Sequence, residues 1–291
     1  MARFQLGVVS LNRNQHAQCF MEVMRSMAAA LRALGHVVEY AGPGATGRMI
    51  LFGANNLEEH PENPIPDDTI IYNAEQLAAI KDPRYFLQGY AQQNRFKIWD
   101  YAVANVEALR SIGVTNVSLC PVGYVSDKYD HLFRPHRPRI ARLAPADEDI
   151  DVLFYGSVAG PRREILDKLD EAGLKVHRLF NVYGDERDAW IARSKLVINL
   201  HFYPRGVFEI FRVSHLLENR RCVVTEAGGI DAGLESLAQR ACAYVPRADI
   251  VDACLSLVAD VRKRRAIADR GFEEFSKIDF VENVHKALEE S

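Results

Sequence analysis

The first part of the chain alternates short apolar runs with segments of helical periodicity. Gln5–Leu11 is an apolar run typical of a buried strand, and apolar side chains then recur at three- and four-residue spacing from Ala17 to Leu34. Gly35 is a helix stop signal, and His36–Tyr40 predicts a second strand. A strand, a helix, a glycine and a second strand within about 35 residues predict a right-handed βαβ unit.

The same rhythm continues towards residue 120 and then breaks. The next predicted strands and helix are Arg48–Gly53, Thr69–Tyr72, Lys97–Trp99, the helix Asn105–Ser111 and the strand Val117–Cys120. Four prolines follow between residues 121 and 149, among scattered charges and without a clear period. This composition is typical of an interdomain linker, which we place at residues 126–149.

After the linker the alternation of strands and helices restarts. The predicted elements are the strand Asp151–Tyr155, helix Arg162–Ala172, strand Lys175–Phe180, helix Asp185–Arg193, strand Lys195–Leu200, helix Glu209–Glu218, strand Cys222–Thr225, a short strand at 244–245 and a mostly helical tail, Asp249–Leu288. The pattern predicts an α/β protein with two Rossmann-like parallel-sheet domains facing across a cleft. We expect domains at residues 1–125 and 150–270, with a C-terminal helix in 271–291 that crosses back to the first domain.

Composition agrees with two cytoplasmic domains. The chain has 291 residues, of which 48% are hydrophobic, and no apolar run approaches the roughly 18 residues of a membrane span. The N-terminus lacks a signal-peptide pattern. With 36 basic against 39 acidic residues, the chain is not strongly basic, which argues against nucleic acid as its main partner. The five cysteines have no C-x-x-C spacing, so we expect reduced thiols.

A glycine-containing turn follows the first strand of the second half. Gly156 and Ser157 end the strand, Pro161 suits the first helical turn, and Arg162 and Arg163 come next. Backbone N–H groups at such a helix start, with two guanidinium groups, would bind phosphate oxygens. The alternative is an ordinary turn with two solvated arginines. The turn lacks the G-x-G-x-x-G fingerprint, so no nicotinamide or flavin cofactor is indicated.

A second group of polar side chains follows the strand Lys195–Leu200. In open α/β sheets ligands bind outside the carboxyl ends of strands, so we expect these side chains to line a ligand site. They are Asn199, His201, Tyr203, Glu209, Arg212 and His215. Glu226, before the Gly228-Gly229 pair, would contact a sugar or ribose hydroxyl, or would merely precede a tight turn. A salt-bridged helix start with a capping Asn is the structural alternative for the main group.

Three residues of the first half are candidate proton acceptors. Glu75 follows the strand end Ile70–Asn73, His16 lies in a polar loop, and Asp100 follows a predicted strand. Asp100 would equally cap the next helix, and His16 would equally be a surface histidine.

The residues from Asp151 to Glu226 resemble the C-terminal half of bacterial GT-B glycosyltransferases, closest to the group-1-like and spore-maturation-type families. The resemblance rests on Gly156-Ser157, Arg162-Arg163, Asn199, Arg212 and the buried pair Val223-Val224. The segments at 70–75 and 121–124 are similar too. The sequence departs from these families at His215, where many members have a ribose-binding Glu, and at 218–221, where they have small residues.

This resemblance implies an enzyme that moves a sugar from a nucleoside-diphosphate sugar to an acceptor hydroxyl on a polysaccharide, a glycolipid or a small molecule. It implies a donor site in the C-terminal domain, an acceptor site in the N-terminal domain, no cofactor and no obligatory metal. Two alternatives stay open: a non-catalytic two-domain protein that binds a nucleotide or small ligand, and a DNA-modifying sugar transferase. Two further motifs are assigned structural roles: the D-x-D string at Asp149–Asp151 lies at a strand start, and the basic run Arg262–Arg265 fits a solvated helix face.

Overall fold

The chain divides into two compact units, which we call the N-terminal unit and the C-terminal unit. The computed structural model describes residues 1–9, 15–42, 44–54, 65–82, 94–203 and 205–291, without the side chains of residues 15–17. The N-terminal unit is Met1–Arg137 together with Ile278–Ser291, and the C-terminal unit is Pro138–Lys277.

The N-terminal unit contains a parallel six-stranded sheet in its described residues. Its strands are β1 (Arg3–Val8), β2 (Val37–Tyr40), β3 (Arg48–Phe52), β4 (Ile70–Asn73), β5 (Lys97–Asp100) and β6 (Val117–Leu119), in the order β2-β1-β3-β4-β5-β6. Helices α1 (Met21–Ala33) and α2 (Val103–Ser111) follow β1 and β5. The central strands β4 and β5 are buried on both faces, as parallel strands covered by helices are.

The C-terminal unit repeats this architecture around a parallel five-stranded sheet. Its strands are β7 (Ile150–Tyr155), β8 (Val176–Leu179), β9 (Ser194–Asn199), β10 (Val223–Glu226) and β11 (Ala243–Val245), in the order β11-β10-β9-β7-β8. Its helices are α3 (Pro161–Glu171), α4 (Gly184–Ala192), α5 (Ile210–Glu218), α6 (Ala232–Ala241), α7 (Ile250–Ala259) and α8 (Val261–Phe275). A core of apolar side chains from β7, β9, β10, α3 and α7 packs on one face of the sheet.

The last helix, α9 (Phe280–Glu289), belongs to the N-terminal unit, where it packs against α1. The backbone N–H of Tyr124 donates to the Ile278 carbonyl at 2.7 Å. The Trp99 indole N–H donates to Ser291 Oγ at 3.0 Å, and Lys97 Nζ donates to the Glu290 carbonyl. The last two residues, Glu290 and Ser291, are therefore hydrogen-bonded to side chains of β5 in the N-terminal sheet.

The predicted class, two parallel-sheet α/β domains, is confirmed. Helix α6 was not predicted from the sequence, although its start carries a cap signal: the Asp231 side chain accepts from Leu234 N at 2.9 Å. Two glycines, Gly228 and Gly229, precede Asp231, and a third, Gly233, lies inside the helix. They interrupt the apolar periodicity that would have predicted α6. None of the helices in the described ranges combines the length and apolar character that crossing a bilayer requires.

Candidate functional site

The carboxyl ends of three neighbouring strands of the C-terminal sheet meet at one edge. β7 ends at Tyr155, β9 at Asn199 and β10 at Glu226, and all three strands run parallel. Asn199 and Thr225 are register partners, and Asn199 Nδ2 donates to Thr225 Oγ1 at 3.0 Å. This carboxyl edge, the usual ligand-binding edge of an open α/β sheet, collects most of the side chains that the sequence predicted as donor-binding.

The absence of a side chain at Gly156 lets the Arg212 guanidinium lie close to the carboxyl end of β7. Gly156 has φ +133°, and a Cβ built there would lie 2.9 Å from Arg212 Nη2. The guanidinium also donates to Asn199 Oδ1 at 3.4 Å, and its side chain is 18% exposed. Arg212 therefore lies against the turn after β7 with part of its charge open to a ligand.

Glu209 holds two arginines at this edge. Its two carboxylate oxygens accept from Arg162 Nη2 at 2.5 Å and from Arg212 Nη1 at 2.7 Å. The two arginines and the one carboxylate together carry a net charge of +1. Because Arg162 is only 3% exposed and Arg212 is 18% exposed, the accessible positive charge is that of Arg212.

Arg162 takes a different role from the predicted phosphate fork. Besides Glu209, it donates from Nε to the Leu200 carbonyl at 3.0 Å and from Nη1 to the Ser157 carbonyl at 3.2 Å. Burial lowers the pKa of Arg162, and the carboxylate of Glu209 acts in the opposite direction. All three guanidinium nitrogens thus brace the loops after β7 and β9, whereas its neighbour Arg163 is exposed at the start of α3.

His201 is buried at the same edge without a side-chain partner. The residue is 4% exposed, and within the described part of the chain neither ring nitrogen has a hydrogen-bond partner. Its backbone N–H donates to Glu226 Oε2 at 3.1 Å, and Glu226 is also paired with Arg247 at 3.2 Å. An unsatisfied buried polar group costs about 1–3 kcal/mol, so this imidazole is suited to a ligand that supplies the missing hydrogen bond.

Two aromatic side chains follow His201. Phe202 and Tyr203 meet edge to face with ring centroids 5.1 Å apart, and Phe202 is 41% exposed. The Arg162 guanidinium carbon lies 5.2 Å from the centre of the Phe202 ring. Tyr203 was predicted as a site residue and Phe202 was not, although an aromatic residue two positions after the predicted strand end Leu200 was its signal.

His215 lies in a different cluster from the one that the sequence predicted. Its Nε2 is 3.1 Å from Asp188 Oδ2, and its Nδ1 is 3.3 Å from Asn219 Nδ2. Asp188 lies on α4 and also pairs with Arg187 at 2.7 Å. Burial opposes ionisation of Asp188, but the hydrogen bond and charge of His215, with Arg187, outweigh it and lower the pKa of Asp188. His215 therefore couples α5 to α4.

The Gly228-Gly229 turn is fastened by a residue that sequence reasoning missed, Glu235 on α6. Glu235 Oε2 accepts from the Gly228 N–H at 3.3 Å and from the Tyr244 hydroxyl. A Cβ on Gly229 would lie 2.1 Å from Glu235 Oε1, so a side chain at that position would collide with the carboxylate. The turn after Glu226 is thus closely packed, which agrees with the structural alternative for its glycines.

The D-x-D carboxylates lie at the opposite edge, where β7 begins. Asp149 accepts two hydrogen bonds from Arg193, and Asp151 is 2.6 Å from Lys195 Nζ. The hydrogen bond from Arg193 lowers the pKa of Asp149. In the described ranges no group of three or more His, Cys, Asp and Glu side chains is arranged to hold a metal ion.

In the N-terminal unit, a buried amide and carboxylate network follows β4 and β5. Asp100 is fully buried and accepts from Asn73 Nδ2 at 2.6 Å, from Asn105 Nδ2 at 3.1 Å and from the Ala102 N–H at 2.9 Å. Both amides also donate to the Glu75 carbonyl, at 3.0 and 2.8 Å. Asp100 therefore departs from its predicted role as a proton acceptor: its oxygens are occupied in holding the loop that carries Glu75.

Glu75 differs from Asp100 in that its carboxylate has no hydrogen-bond or ion-pair partner among the residues that the structure describes. The side chain is partly buried, and this burial raises the pKa of Glu75. Its backbone N–H donates to Asn73 Oδ1 at 3.1 Å, which fixes the loop conformation. The third candidate, His16, falls in the 3-10 helix Gln15–Phe20, and its side chain lies outside the described part of the structure.

Comparisons with known sequences give distant relatives. No family model matches the chain. An uncharacterized protein of Acanthamoeba polyphaga mimivirus is 27% identical over 196 residues, which cover 66% of this chain and 60% of that protein. A second uncharacterized protein of the same virus is 26% identical over 47% of this chain and 16% of its own length. The matches thus span less than two thirds of these relatives.

Solved structures similar to this chain include glycosyltransferases. HepE of Anabaena in complex with UDP and glucose matches with a TM-score of 0.53 at 12% identity, over 99% of both chains. WaaG, a glycosyltransferase involved in lipopolysaccharide biosynthesis, matches with 0.55 at 12% identity, also over 99% of both. The DNA-modifying enzyme β-glucosyltransferase matches with 0.52 at 12% identity, over 99% of this chain and 97% of that one. The two parallel-sheet units of this chain therefore have the GT-B fold of these glycosyltransferases.

Proposed function

We propose that this chain is a glycosyltransferase that moves a sugar from a nucleoside-diphosphate sugar to an acceptor hydroxyl and needs no divalent metal. The observation that carries the proposal is the carboxyl edge of the C-terminal sheet, where Arg212 lies against Gly156 and His201 is buried with both ring nitrogens unpartnered. The shared GT-B fold supports the same reading, because HepE carries UDP and glucose in its complex.

In this proposal the donor's diphosphate is bound by groups at the turn between β7 and α3. The backbone N–H of Ser157 is offered to the diphosphate, whereas that of Gly156 already donates to the Leu179 carbonyl at 2.9 Å. The eleven-residue helix α3 begins at Pro161, and Arg212 and Arg163 supply positive charge. Arg162 and Glu209 hold the turn and Arg212 in position. Each donor residue thus has one of two roles, contact with the diphosphate or support of a group that makes it.

The remaining residues of the edge are assigned to the nucleoside and sugar. The ring nitrogens of His201 and the carboxylate of Glu226 are assigned to ribose or sugar hydroxyls. Asn199 is fully buried with its amide bonded to Thr225 and Arg212, so it positions Arg212. The exposed ring of Phe202, with Tyr203 beside it, offers an apolar face for a nucleobase. His215 has no role in this assignment because its ring is committed to Asp188 and Asn219.

The proposed reaction breaks the bond between the anomeric carbon and the diphosphate oxygen and forms a bond from that carbon to the acceptor oxygen. Glu75 takes the proton of the acceptor hydroxyl, a task for which a raised carboxylate pKa is suitable. The leaving diphosphate keeps the electrons of the broken bond. Positive charge at Arg212 stabilises the negative charge that develops there, the electrostatic task that a metal performs in other transferases.

Titration calorimetry with UDP, ADP and GDP tests the donor site. We expect at least one nucleotide to bind wild-type protein and Arg212→Ala to weaken that binding about 10- to 100-fold, since a hydrogen bond to a charged group contributes about 1.5–3 kcal/mol. Arg193→Ala is the matched control, because Arg193 is an exposed arginine paired with Asp149 at the other edge of the sheet. Equal affinities in wild type and both variants would remove the diphosphate assignment.

A turnover assay distinguishes the proposed enzyme from a protein that only binds its ligand. The enzyme releases nucleoside diphosphate from a bound nucleotide sugar, by transfer to an acceptor or slowly by hydrolysis. A binding protein holds the nucleotide sugar at a saturable site and leaves it intact. Saturable binding without product, across a panel of sugar and hydroxyl acceptors, would therefore overturn the enzymatic part of the proposal.

A further inference from the structure

A small cavity lies at the amino edge of the C-terminal sheet, opposite the candidate donor site. Ser194 and Lys195 begin β9, and Arg221 and Cys222 directly precede β10, so these lining residues belong to strand starts. Helix α8 forms another wall. The cavity measures about 40 Å³. One water needs roughly 10–15 Å³ on this measure, so the space suits about three waters or one tetrahedral oxyanion.

The lining of this cavity is strongly basic. Its charged residues are one carboxylate, Glu148, and six cations, namely Arg142, Lys195, Arg220, Arg221, Arg264 and Arg265. We call these six cations and the cavity that they line the basic pocket. The sequence predicted a solvated helix face for the Arg262–Arg265 run, but Arg264 is buried, at 5% exposure, and together with Arg265 lines the pocket.

Neighbouring carboxylates balance about half of this charge. Arg264 pairs with Glu148 at 3.1 Å, and Lys195 pairs with Asp151 at 2.6 Å. A third carboxylate, Asp269, is 3.2 Å from Arg220 and 3.9 Å from Arg142, so two arginines share it. Three carboxylates against six cations leave an excess of three positive charges at the basic pocket.

Arg221 is the most informative of these cations. It is 8% exposed, it forms no direct ion pair among the described residues, and its Nε has no hydrogen-bond partner there. Its Nη2 donates to the carbonyls of Ala141 and, at 3.5 Å, Ile140. Burial lowers the pKa of Arg221, which reflects the unfavourable loss of solvent around the charge. Glu148 and Asp188 act on Arg221 only through their charges, without a direct ion pair, so an anion in the pocket would supply the direct partner that this buried guanidinium lacks.

We propose that the basic pocket is a second anion site of the C-terminal unit, which binds the phosphate group of a small molecule. Phosphate oxygens accept paired hydrogen bonds from guanidinium groups, and a dianion offsets most of the excess charge. The small volume favours one phosphate group over a nucleic-acid backbone, which needs an extended basic surface. The proposal does not depend on sugar transfer, because the pocket shares no residue with the donor site.

The test measures binding of inorganic phosphate, pyrophosphate and glycerol phosphate by titration calorimetry at constant ionic strength. All proteins carry Arg212→Ala, so the candidate donor site contributes little. Two double variants are compared, each losing two positive charges: Arg142→Ala with Arg265→Ala in the pocket, and Arg262→Ala with Lys263→Ala elsewhere on α8. We expect saturable binding that the first pair weakens about tenfold or more and the second pair leaves within twofold.

Three results would overturn the proposal. They are the absence of saturable binding by any of the three probes, an equal loss in both double variants, and displacement of the bound probe by duplex DNA with a steep dependence on salt. The equal loss would indicate charge attraction without a site, and displacement by DNA would assign the surface to a nucleic-acid backbone. Tighter binding of glycerol phosphate than of inorganic phosphate would assign the pocket to a phosphate ester, and the reverse order to free phosphate.

Discussion

Two carboxylates in the N-terminal unit show how local partners decide what a residue can do. Asp100 is fully buried and its oxygens accept three hydrogen bonds, so it is a positioning group for the loop after β4. Glu75, held by that loop, has a partly buried carboxylate without a hydrogen-bond or ion-pair partner in the described chain and a raised pKa. The sequence placed both at strand ends and could not separate them, because the difference lies in side chains from elsewhere in the fold.

Glu75→Gln is expected to reduce activity and to raise stability at neutral pH. Removal of a general base lowers turnover about 10²–10⁴-fold while nucleotide binding stays intact. Because the folded-state pKa of Glu75 is raised above its ordinary value of 4.5, ionisation is less favourable in the folded protein. Wild type therefore loses stability relative to Glu75→Gln as the pH rises above about 4.5, the ordinary value of this carboxyl, and the two converge below it.

Denaturant unfolding at pH 4 and pH 7, together with the turnover assay, checks the Glu75 prediction. Glu107→Gln is the control, since Glu107 is an exposed carboxylate on α2. Normal turnover in Glu75→Gln would move the base to another residue. Equal stability of wild type and Glu75→Gln at pH 7 would contradict the burial argument.

Gly156→Ala tests the close approach of Arg212 to the turn after β7. A Cβ at Gly156 would lie 2.9 Å from Arg212 Nη2, whereas at Gly160 nothing lies within 4 Å. Both glycines have positive φ, so both alanine variants are expected to lose roughly 1 kcal/mol of stability through backbone strain. We expect only Gly156→Ala to weaken nucleotide binding, by about tenfold, in calorimetry. Parallel losses of affinity in the two variants would show that strain alone explains the effect.

At the level of elements, periodicity predicted most strands and helices within a few residues of their observed limits. Apolar runs are long enough to identify β7, β9 and β10, and the carboxyl edge follows from their parallel arrangement. Helix α6 was not predicted because glycines interrupt its apolar periodicity. Arg162 and His215 were assigned to the ligand site on helix and strand position alone, but their partners Leu200, Glu209 and Asp188 come from other elements. Such tertiary pairings have no signature in a single sequence.

The pairing of α4 with α5 through Asp188 and His215 predicts a dependence of stability on pH. The folded-state pKa of Asp188 lies below its ordinary value of 3.8, so its contribution is present above about pH 4 and is lost as the pH falls through the folded-state pKa. Asp188→Asn is expected to lose about 1–3 kcal/mol at pH 7 and less towards pH 3. Denaturant unfolding at both pH values measures this.

Asp185→Asn is the control for that experiment, because Asp185 is an exposed carboxylate on the same helix. Nucleotide affinity gives the second readout: Asp188→Asn should retain it, since the Asp188 and His215 pair lies outside the proposed donor contacts. A loss of affinity matching that of Arg212→Ala would return His215 to the donor site.

At the scale of the whole molecule, two parallel-sheet units support one proposed reaction, with donor contacts in the C-terminal unit and Glu75 in the N-terminal unit. The proposal assigns the charge of the leaving group to Arg212 and backbone N–H groups. The D-x-D carboxylates are engaged by Arg193 and Lys195 at the other edge of the sheet. In this account the two carboxylates stabilise the start of β7 through these ion pairs.

Chelation tests that assignment. We expect turnover to be unchanged in excess EDTA, and Asp149→Asn to keep full turnover while it loses only the ion pair with Arg193. Arg212→Ala, measured in the same series, shows how far turnover falls when a residue of the proposed donor site is removed. Activity that disappears in EDTA and returns with manganese would contradict the metal-free account and would direct attention to Asp149 and Asp151.

The most direct test of the central claim is release of nucleoside diphosphate from a panel of nucleotide sugars, measured with and without hydroxyl acceptors. The account predicts that at least one nucleotide sugar is consumed, that Arg212→Ala and Glu75→Gln each reduce the rate at least about 100-fold, and that Arg193→Ala does not. Saturable binding of a nucleotide sugar with no release of diphosphate, or turnover insensitive to both Arg212→Ala and Glu75→Gln, would contradict it.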